Sequence, residues 1–512
     1  MSCSENDPQL SEEIARYDAL KPRLEALWRS LFPADEAHYT SVVVPSVTVP
    51  SEVLDLVPGS TSYEESLLFF IIRLRNPKAR LVYVTSQPIH PIVPEYYLQF
   101  LTGIPASHAR KRLTFISAYD GSARPLTQKI LERPRLMQRI RAAIPEHDRA
   151  YMTTFNVTTL ERKLAVQLDL PINGADPRWL FANRSGSRKM LREAGLGPPV
   201  GIEDLNHESE VVEALEELRS RRPRIERAVL RLNQSYWGDG IAEYRYPSEG
   251  SRDALRRALG SVVPSLSTDD VGAFLTKYEQ RGGTVEERLV GAEVHSPSVQ
   301  IRVNPTGIVS VTSTHEEIVR APSGLVITGC RFPAEEAYRA RLHEIGHRLG
   351  ATLAMRGIAS RVSVDVVARR EHAESAWQLS PVGFNLGAGG TTHPLLAVRL
   401  LTGGHVDPGT GLFRSATGRP KFYRANDHLR SPSYRGMLPD DLIEMLTIKG
   451  LSYSPHFESG VIVYMLGALS EHGRLGLLAI GDSREQAEQV YIDAVRAIDD
   501  ETGAGQEDPR PG

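Results

Sequence analysis

The chain has 512 residues, long enough for about three domains that each bury a core. Hydrophobic residues make up 41% and charged residues 24%, ordinary for a soluble globular protein. A formal net charge of -3 provides no global field to steer the chain to nucleic acid or anionic lipid. Two cysteines, Cys3 and Cys330, are too few for a disulfide framework or a structural zinc site, so a reduced cytoplasm is the simplest setting. Cys330 reads as a small core residue. The acidic start MSCSENDPQL lacks the pattern of a signal peptide, and the apolar stretch 67–72 runs straight into Arg73, far short of a membrane span.

Residues 1–38 predict a polar lead-in and a helix, with Leu20, Leu24, Leu27 and Trp28 at helical spacing. A strand over 41–49, a helix over 63–75, and strands over 80–85 and 113–118 follow, the alternation of a parallel α/β layer. A basic amphipathic helix over 126–144 leads to a boundary near 145–150. Beyond it, 151–222 alternates strands and helices, 228–246 is strand-rich, and helices are expected over 252–259 and 271–280. Strands are predicted at 285–290, 298–303 and 308–312, then a long helix over 334–355 and a strand over 361–368. A glycine-rich loop, 387–394, precedes another helix. The end reads as a small α/β module, with strands 460–465 and 475–480 and a helix 484–498, before the disordered-like tail GAGQEDPRPG.

Three segments carry chemistry. AVLRLNQSYWGDGIA (228–242) is a strand, a glycine turn and a strand, able to lay backbone N–H groups over a triphosphate with Arg231 aimed at it. Taken alone, a plain β-hairpin with a glycine turn is the commoner explanation. NRSGSRK (183–189) opens a helix whose free N–H groups suit an anion, or is a capped helix start with solvated arginines. Asp365 sits in the apolar strand VSVDVV (362–367), where a carboxylate needs a cation or donors to offset desolvation. Asn385 in FNL (384–386) would add a second oxygen ligand of the kind Mg²⁺ takes, while a salt-bridged aspartate is the plainer alternative.

The ordered set TSQPIHP (85–91), FNVT (155–158), SGSR (185–188), SPSVQ (296–300), GCRFP (329–333), GGTTHP (389–394), GALS (467–470) and IGDS (480–483) resembles the pheganomycin-type peptide ligases, which are ATP-grasp carboxylate–amine ligases. The resemblance runs from about residue 40 to 500. It implies an α/β fold: a pre-ATP-grasp, Rossmann-like domain over 1–150, an ATP-grasp core over 151–445, a small C-terminal module over 446–500 and a disordered tail over 501–512. It implies ATP-dependent, ADP-forming amide synthesis through an acyl phosphate, with ATP and Mg²⁺ as cofactors. Partners would be a small-molecule carboxylate and an amine (amino acid or peptide), with no nucleic acid or membrane; a homodimer is compatible with the family. Carried over by position, Arg184, with Ser185 and Gly186, and Arg231 would contact phosphates. Gly238, Asp239 and Gly240 would form the lid turn, and Glu286 and Glu287 would lie near the adenine–ribose side. Asp365 and Asn385 would ligate Mg²⁺, and Arg302 and the loop ending at His393 would face the acyl phosphate and substrate.

The chain also departs from that pattern. Arg184 and Arg231 stand where the family has lysine, which keeps the charge and changes its geometry. The family's Glu-x-Asn-x-Arg reads Gly383-Phe-Asn-Leu-Gly387, so a bridging carboxylate and a substrate-holding arginine are both missing. Asp239, Glu371 and Glu374 are further carboxylates that could compensate. An active ligase with an altered site and a catalytically inactive relative acting as a nucleotide-binding or partner subunit therefore stay side by side. A third reading comes from His343-Glu344-Ile-Gly-His347, the H-E-x-x-H pattern of zinc hydrolases, with Leu353 where the longer form needs its third histidine. It falls in a helix the ligase fold already requires. The basic runs RKR (110–112) and RSRRPR (219–224) lack interleaved aromatics and read as solvated surface.

Overall fold

The computed structural model describes residues 8–31, 37–179, 181, 183–235, 240–265, 270–320, 326–407 and 409–503. Cys3, Gly238, Asp239 and nearly all of the tail lie outside this set. Valine-rich, alternating segments build a four-stranded parallel sheet in the order Leu113–Ser117, Ala79–Thr85, Tyr39–Val44, Ala150–Thr154. Val43, Leu81 and Tyr83 feed one core and Val42, Val44, Val82 and Val84 another, as expected of a parallel sheet covered on both faces. The strand Ala150–Thr154 pairs beside Tyr39–Val44, so this layer continues past the boundary expected at 150. The basic segment 126–144 forms two helices, Leu126–Leu131 and Pro134–Ala142, because Pro134 cannot donate a helical hydrogen bond and starts a new first turn.

A five-stranded antiparallel sheet follows, in the order Gly201–Leu205, Gly283–Glu287, Arg227–Leu232, Ile241–Arg245, Val263–Pro264. The third and largest sheet has eleven strands. At its centre Pro297–Val303 lies between Ser360–Arg370 and Val309–Arg320, and Gln378–Leu386 flanks Ser360–Arg370 on the other side. The helix Glu336–Met355 covers one face, burying Leu342, Ile345, Leu349 and Leu353 against Val299, Ile301 and Val364. Polar side chains are left for the opposite face. Val326–Phe332 and Pro420–Arg430, both absent from the sequence reading as strands, extend the sheet to Arg474–Gly481 and Gly460–Tyr464. The C-terminal segment is thus joined to the largest sheet by a strand ladder. Cys330 is 2% exposed within this core.

Glu65, in the 3-10 helix Ser60–Arg75, ties the N-terminal layer to the C-terminal strands by accepting the Gly467 N–H with both oxygens at 3.2 Å. Burial pushes its carboxyl up from 4.5 to about 7. A raised carboxyl favours the folded state while protonated and loses that contribution as pH rises through about 7. The variant Glu65→Gln keeps an acceptor and removes the charge. It should match the wild-type melting temperature near pH 4.5 and exceed it at about pH 8, measured by calorimetry.

Candidate active site

The floor of the site is the polar face of the largest sheet, and strand register lays its side chains out in rows. Asp365 lies between Ser298 and Gly383, Ser363 between Gln300 and Asn385, and Arg361 beside Arg302. Alternation along each strand puts all three rows on one face, away from the helix Glu336–Met355. The Asn385 amide donates to Asp365 Oδ2 at 3.4 Å, which leaves its carbonyl oxygen able to act as a ligand. Burial pushes the Asp365 carboxyl up to about 6 while Arg184 and Arg231 act in the opposite direction. Glu317, on the strand Val309–Arg320, is raised further, by burial and then by the negative charge of Asp365. Sequence reasoning missed Glu317 because it ended that strand at 312. The alternation of Ser313, His315 and Glu317 was the available signal.

Above the floor, the small sheet and the helix Arg184–Glu193 contribute a buried ion cluster. Arg184 donates from Nε and Nη2 to the two oxygens of Glu286, both at 2.7 Å. Arg188 reaches the same carboxylate at 3.0 Å, and Thr284 Oγ1 donates to it at 2.7 Å. Burial acts to raise the Glu286 carboxyl, but the two guanidiniums outweigh it and hold it well below the usual range. Arg231 is directed into the same space from Arg227–Leu232. Burial, then the charge of Arg184, pushes it down to about 10, and its Nε has no hydrogen-bond partner. Arg184, Arg231, Asp365 and Asn385 therefore converge on one cleft.

Several expectations are corrected by this geometry. The N–H groups at the start of Arg184–Glu193 are not free for an anion: Asn183 Oδ1 accepts from Gly186, while Asn233 accepts from Ser185 through its side chain and from Arg184 through its carbonyl. The cap of the plainer reading forms, but Arg184 and Arg188 are paired with the buried Glu286 instead of being solvated. Glu286 is the counter-ion of two arginines. Glu287 points to the other side, accepting from the Val200 N–H at 3.1 Å and Arg222 Nε at 2.9 Å. His393 is fully buried, its ring 4.9 Å from Tyr464 and 6.3 Å from Tyr63, and burial pulls it down to about 4. It lies in the core instead of facing substrate. Arg302 is on the floor but at the end away from Asp365, bonded to Asn173 Oδ1. Gly240 closes the hairpin at φ 82°, accepting from the Leu232 N–H at 2.8 Å, whereas Gly238 and Asp239 fall outside the described residues.

The two missing side chains of the Glu-x-Asn-x-Arg pattern have different structural causes. A Cβ on Gly383 would fall against Arg184 Nη1, so a guanidinium occupies the room of the absent glutamate. A Cβ on Gly387 would come 2.7 Å from the Phe155 carbonyl oxygen, and φ there is 123°, so the backbone itself excludes a side chain. Glu371 and Glu374 are exposed beyond the end of Ser360–Arg370 and do not compensate. Among the described residues no three His, Cys, Asp or Glu side chains are grouped to hold a metal. Asp365 and Asn385 present two oxygen donors of the kind magnesium takes. His343 and His347 share a helix face, but Glu344 is turned to solvent with no third ligand described near them.

The fold aligns with solved ATP-grasp structures. The biotin carboxylase domain of the Hydrogenobacter thermophilus 2-oxoglutarate carboxylase, solved with MgADP and bicarbonate, superposes with a TM-score of 0.56 over 89% of each chain at 12% identity. Biotin carboxylase from Campylobacter jejuni gives 0.53 over 93% of this chain and 96% of its own, also at 12% identity. The family described as "IQCH-like, ATP-grasp" matches residues 264–408, and the one described as "PGM1 C-terminal domain" matches 441–492. An L-propargylglycine–L-glutamate ligase from Streptantibioticus cattleyicolor is 30% identical over 90% of this chain and 94% of its own length. IQ motif-containing protein H of Danio rerio is 22% identical, and the match spans 40% of its length. The fold is thus ATP-grasp. Within that class, the chain belongs to the pheganomycin-type peptide ligases, a family of enzymes that form C–N bonds. No described helix is long and apolar enough to cross a membrane.

Two outcomes test the ion cluster. Glu286→Gln leaves Arg184 and Arg188 without their shared counter-ion and should lower the unfolding free energy by about 3 kcal/mol in urea titrations, the loss typical of breaking a buried pair. Gly383→Glu should lower the melting temperature and weaken Mg-nucleotide binding, because the new carboxylate displaces Arg184. Adding Arg184→Ala relieves the clash but not the lost phosphate contact, so the double variant should melt higher than the sum of the two single losses allows while its nucleotide affinity stays low, a coupling that a double-mutant cycle reads directly.

Proposed function

We propose that this protein is an ADP-forming carboxylate–amine ligase that works through an acyl phosphate. The observation that carries the reading is the convergence of Arg184 and Arg231 with Asp365 and Asn385 between two sheets of an ATP-grasp fold. The whole-length likeness to an amino-acid ligase supports it. In the first step a substrate carboxylate oxygen bonds to the γ-phosphorus of ATP and the bond from that phosphorus to the β-bridging oxygen breaks, releasing ADP. In the second step an amine nitrogen bonds to the acyl carbon, inorganic phosphate leaves with the C–O bond electrons, and the nitrogen loses a proton. Asp365 and Asn385 would hold a magnesium ion, which would supply neutralisation of phosphate charge.

The chain's own contribution is positioning and fixed charge. Glu286 holds Arg184 by two hydrogen bonds, so its guanidinium meets the transferring group without reorganising. Arg231, with an unpartnered Nε, has donor capacity to spend on phosphate oxygens. The exposed Asn385 and the half-buried Asp365 lie on the floor below. A second reading, a nucleotide-binding relative without catalysis, is favoured by one observation: neither Gly383 nor Gly387 has room for the missing side chain as the chain stands.

An ADP-release assay across amino-acid mixtures with ATP and magnesium separates the two. The ligase reading expects ADP formation that requires both a carboxylate and an amine, and its loss to background in Asp365→Asn. Thermal stabilisation by MgATP with no ADP from any mixture would instead establish the binding subunit.

A further inference from the structure

The basic end of the floor is not used by the phosphate chemistry above. Arg302 and Arg361 face each other across adjacent strands, four residues from the Ser298–Asp365 pair on the same face. At about 3.3 Å per residue this separates them from Asp365 by about 13 Å along the strands. Arg73 reaches the same place from the helix Ser60–Arg75, where it donates to Ser41 Oγ and, at 3.2 Å, to Thr153 Oγ1. Its guanidinium lies 3.9 Å from the centroid of the Phe70 ring, and that of Arg361 lies 5.9 Å from the same ring. Arg302 donates to Asn173 Oδ1 and sits over the Trp28 ring at 5.6 Å.

These cations have aromatic faces, hydroxyls and an amide around them, but among the described residues no carboxylate is paired with Arg73, Arg302 or Arg361. Burial and then the charges of Arg302, Arg73 and Arg399 push Arg361 down to about 9, and Arg302 is pushed down to about 10 by burial, with Arg73 adding to it. Elsewhere in the cleft, Arg184 and Arg188 share Glu286. Clustered guanidiniums withdrawn from water are unfavourable unless an anion joins them. Beside them is a small cavity of about 20 Å³, lined by Arg73, Thr153, Phe155, Asn173, Arg361 and Gly387. That is room for one or two waters, or for the head of a carboxylate, and is tight for a tetrahedral phosphate.

We propose that Arg73 and Arg361, backed by Arg302, hold the non-reacting carboxylate of the amine substrate, which is therefore an amino acid or short peptide with a free C-terminal carboxylate. The inference rests on the ligase reading for the word substrate, but the anion site itself does not. The distance carries the choice: phosphates belong beside Asp365, so an anion about 13 Å away is a different group. An amino acid anchored there by its carboxylate extends its amine along the Ser363–Gln300 row towards the acyl carbon. Bidentate guanidinium–carboxylate pairing gives such a site its preference for a planar anion.

The test measures binding of the twenty amino acids to the full chain with MgADP present, each as free acid and as its C-terminal carboxamide. At least one free acid should bind at least about tenfold more tightly than its amide, the loss expected when a charged hydrogen-bond partner is removed. Arg361→Gln should reduce that preference to within about twofold while leaving MgADP affinity unchanged, and Arg361→Lys should retain part of it. Without ligand, Arg361→Gln should melt no lower than wild type, because it relieves repulsion; this keeps a binding loss distinct from misfolding. Equal binding of acids and amides, wild-type selectivity in Arg361→Gln, or inorganic phosphate binding this site more tightly than every amino acid would each overturn the proposal. Acid-selective binding without ADP release in any mixture would retire the ligase reading alone. ADP release that is indifferent to the carboxylate would retire the carboxylate site alone.

Discussion

Glu286 carries a negative charge at 3% exposure, and two arginines and a threonine hydroxyl are what make that tolerable. A carboxylate so placed would otherwise take up a proton. Because the pairing to Arg184 is bidentate, it fixes an orientation as well as a charge. That orientation brings the guanidinium over Gly383, next to Asp365, and so decides the electrostatics of the floor from the opposite sheet. The helix start at Asn183 serves the same end. Its N–H groups are satisfied internally, so the first helical residue projects its side chain into the cleft instead of offering its backbone there.

The floor then divides into ends of opposite charge. At one, burial raises the Asp365 carboxyl and Arg184 and Arg231 offset this only in part, while burial and then Asp365 raise Glu317, which suits a site that receives a cation. At the other, burial depresses both Arg361 and Arg302, with Arg302 and Arg73 adding to it at Arg361 and Arg73 at Arg302, and no carboxylate is paired to them among the described residues, which suits a site that receives an anion. Between them the row Gln300, Ser363 and Asn385 is neutral, with Gln300 Nε2 donating to Ser363 Oγ at 2.7 Å. Such a gradient orients a dipolar ligand along the strands before any specific contact is made.

Much of the architecture was legible because period-two alternation and helical spacing are strong local signals. The parallel layer, the helix over Glu336–Met355 and the strand carrying Asp365 all came from those. The strands Val326–Phe332 and Pro420–Arg430 did not, since one contains Gly329 and the other Asn426-Asp-His, which locally read as turn residues; tertiary pairing overrode propensity. In the site, the sequence named Arg184, Arg231, Asp365 and Asn385, which do converge. It could not show that Glu286 is bound to Arg184, because residues 102 apart carry no local sign of contact. Arg73 and Arg361 were invisible for a similar reason. An arginine near a helix end or in an alternating strand reads as solvated surface until the neighbouring layer is in place.

The two glycines show why a motif departure is not one kind of event. At position 383 the lost carboxylate's room is filled by a side chain with rotamer freedom, itself tethered to a carboxylate that could hold it elsewhere. A substitution there meets an obstacle that can move. At 387 the obstacle is the Phe155 carbonyl, which accepts the Ala388 N–H at 2.8 Å, while the Gly387 N–H is spent on the Arg361 carbonyl at 2.9 Å. Room there requires breaking ladder-like bonds and abandoning a positive φ, so the loop is closed as a unit. The same pair of bonds seats Arg361 against the N-terminal layer. The feature that excludes a side chain at 387 is therefore the one that fixes a guanidinium one strand away.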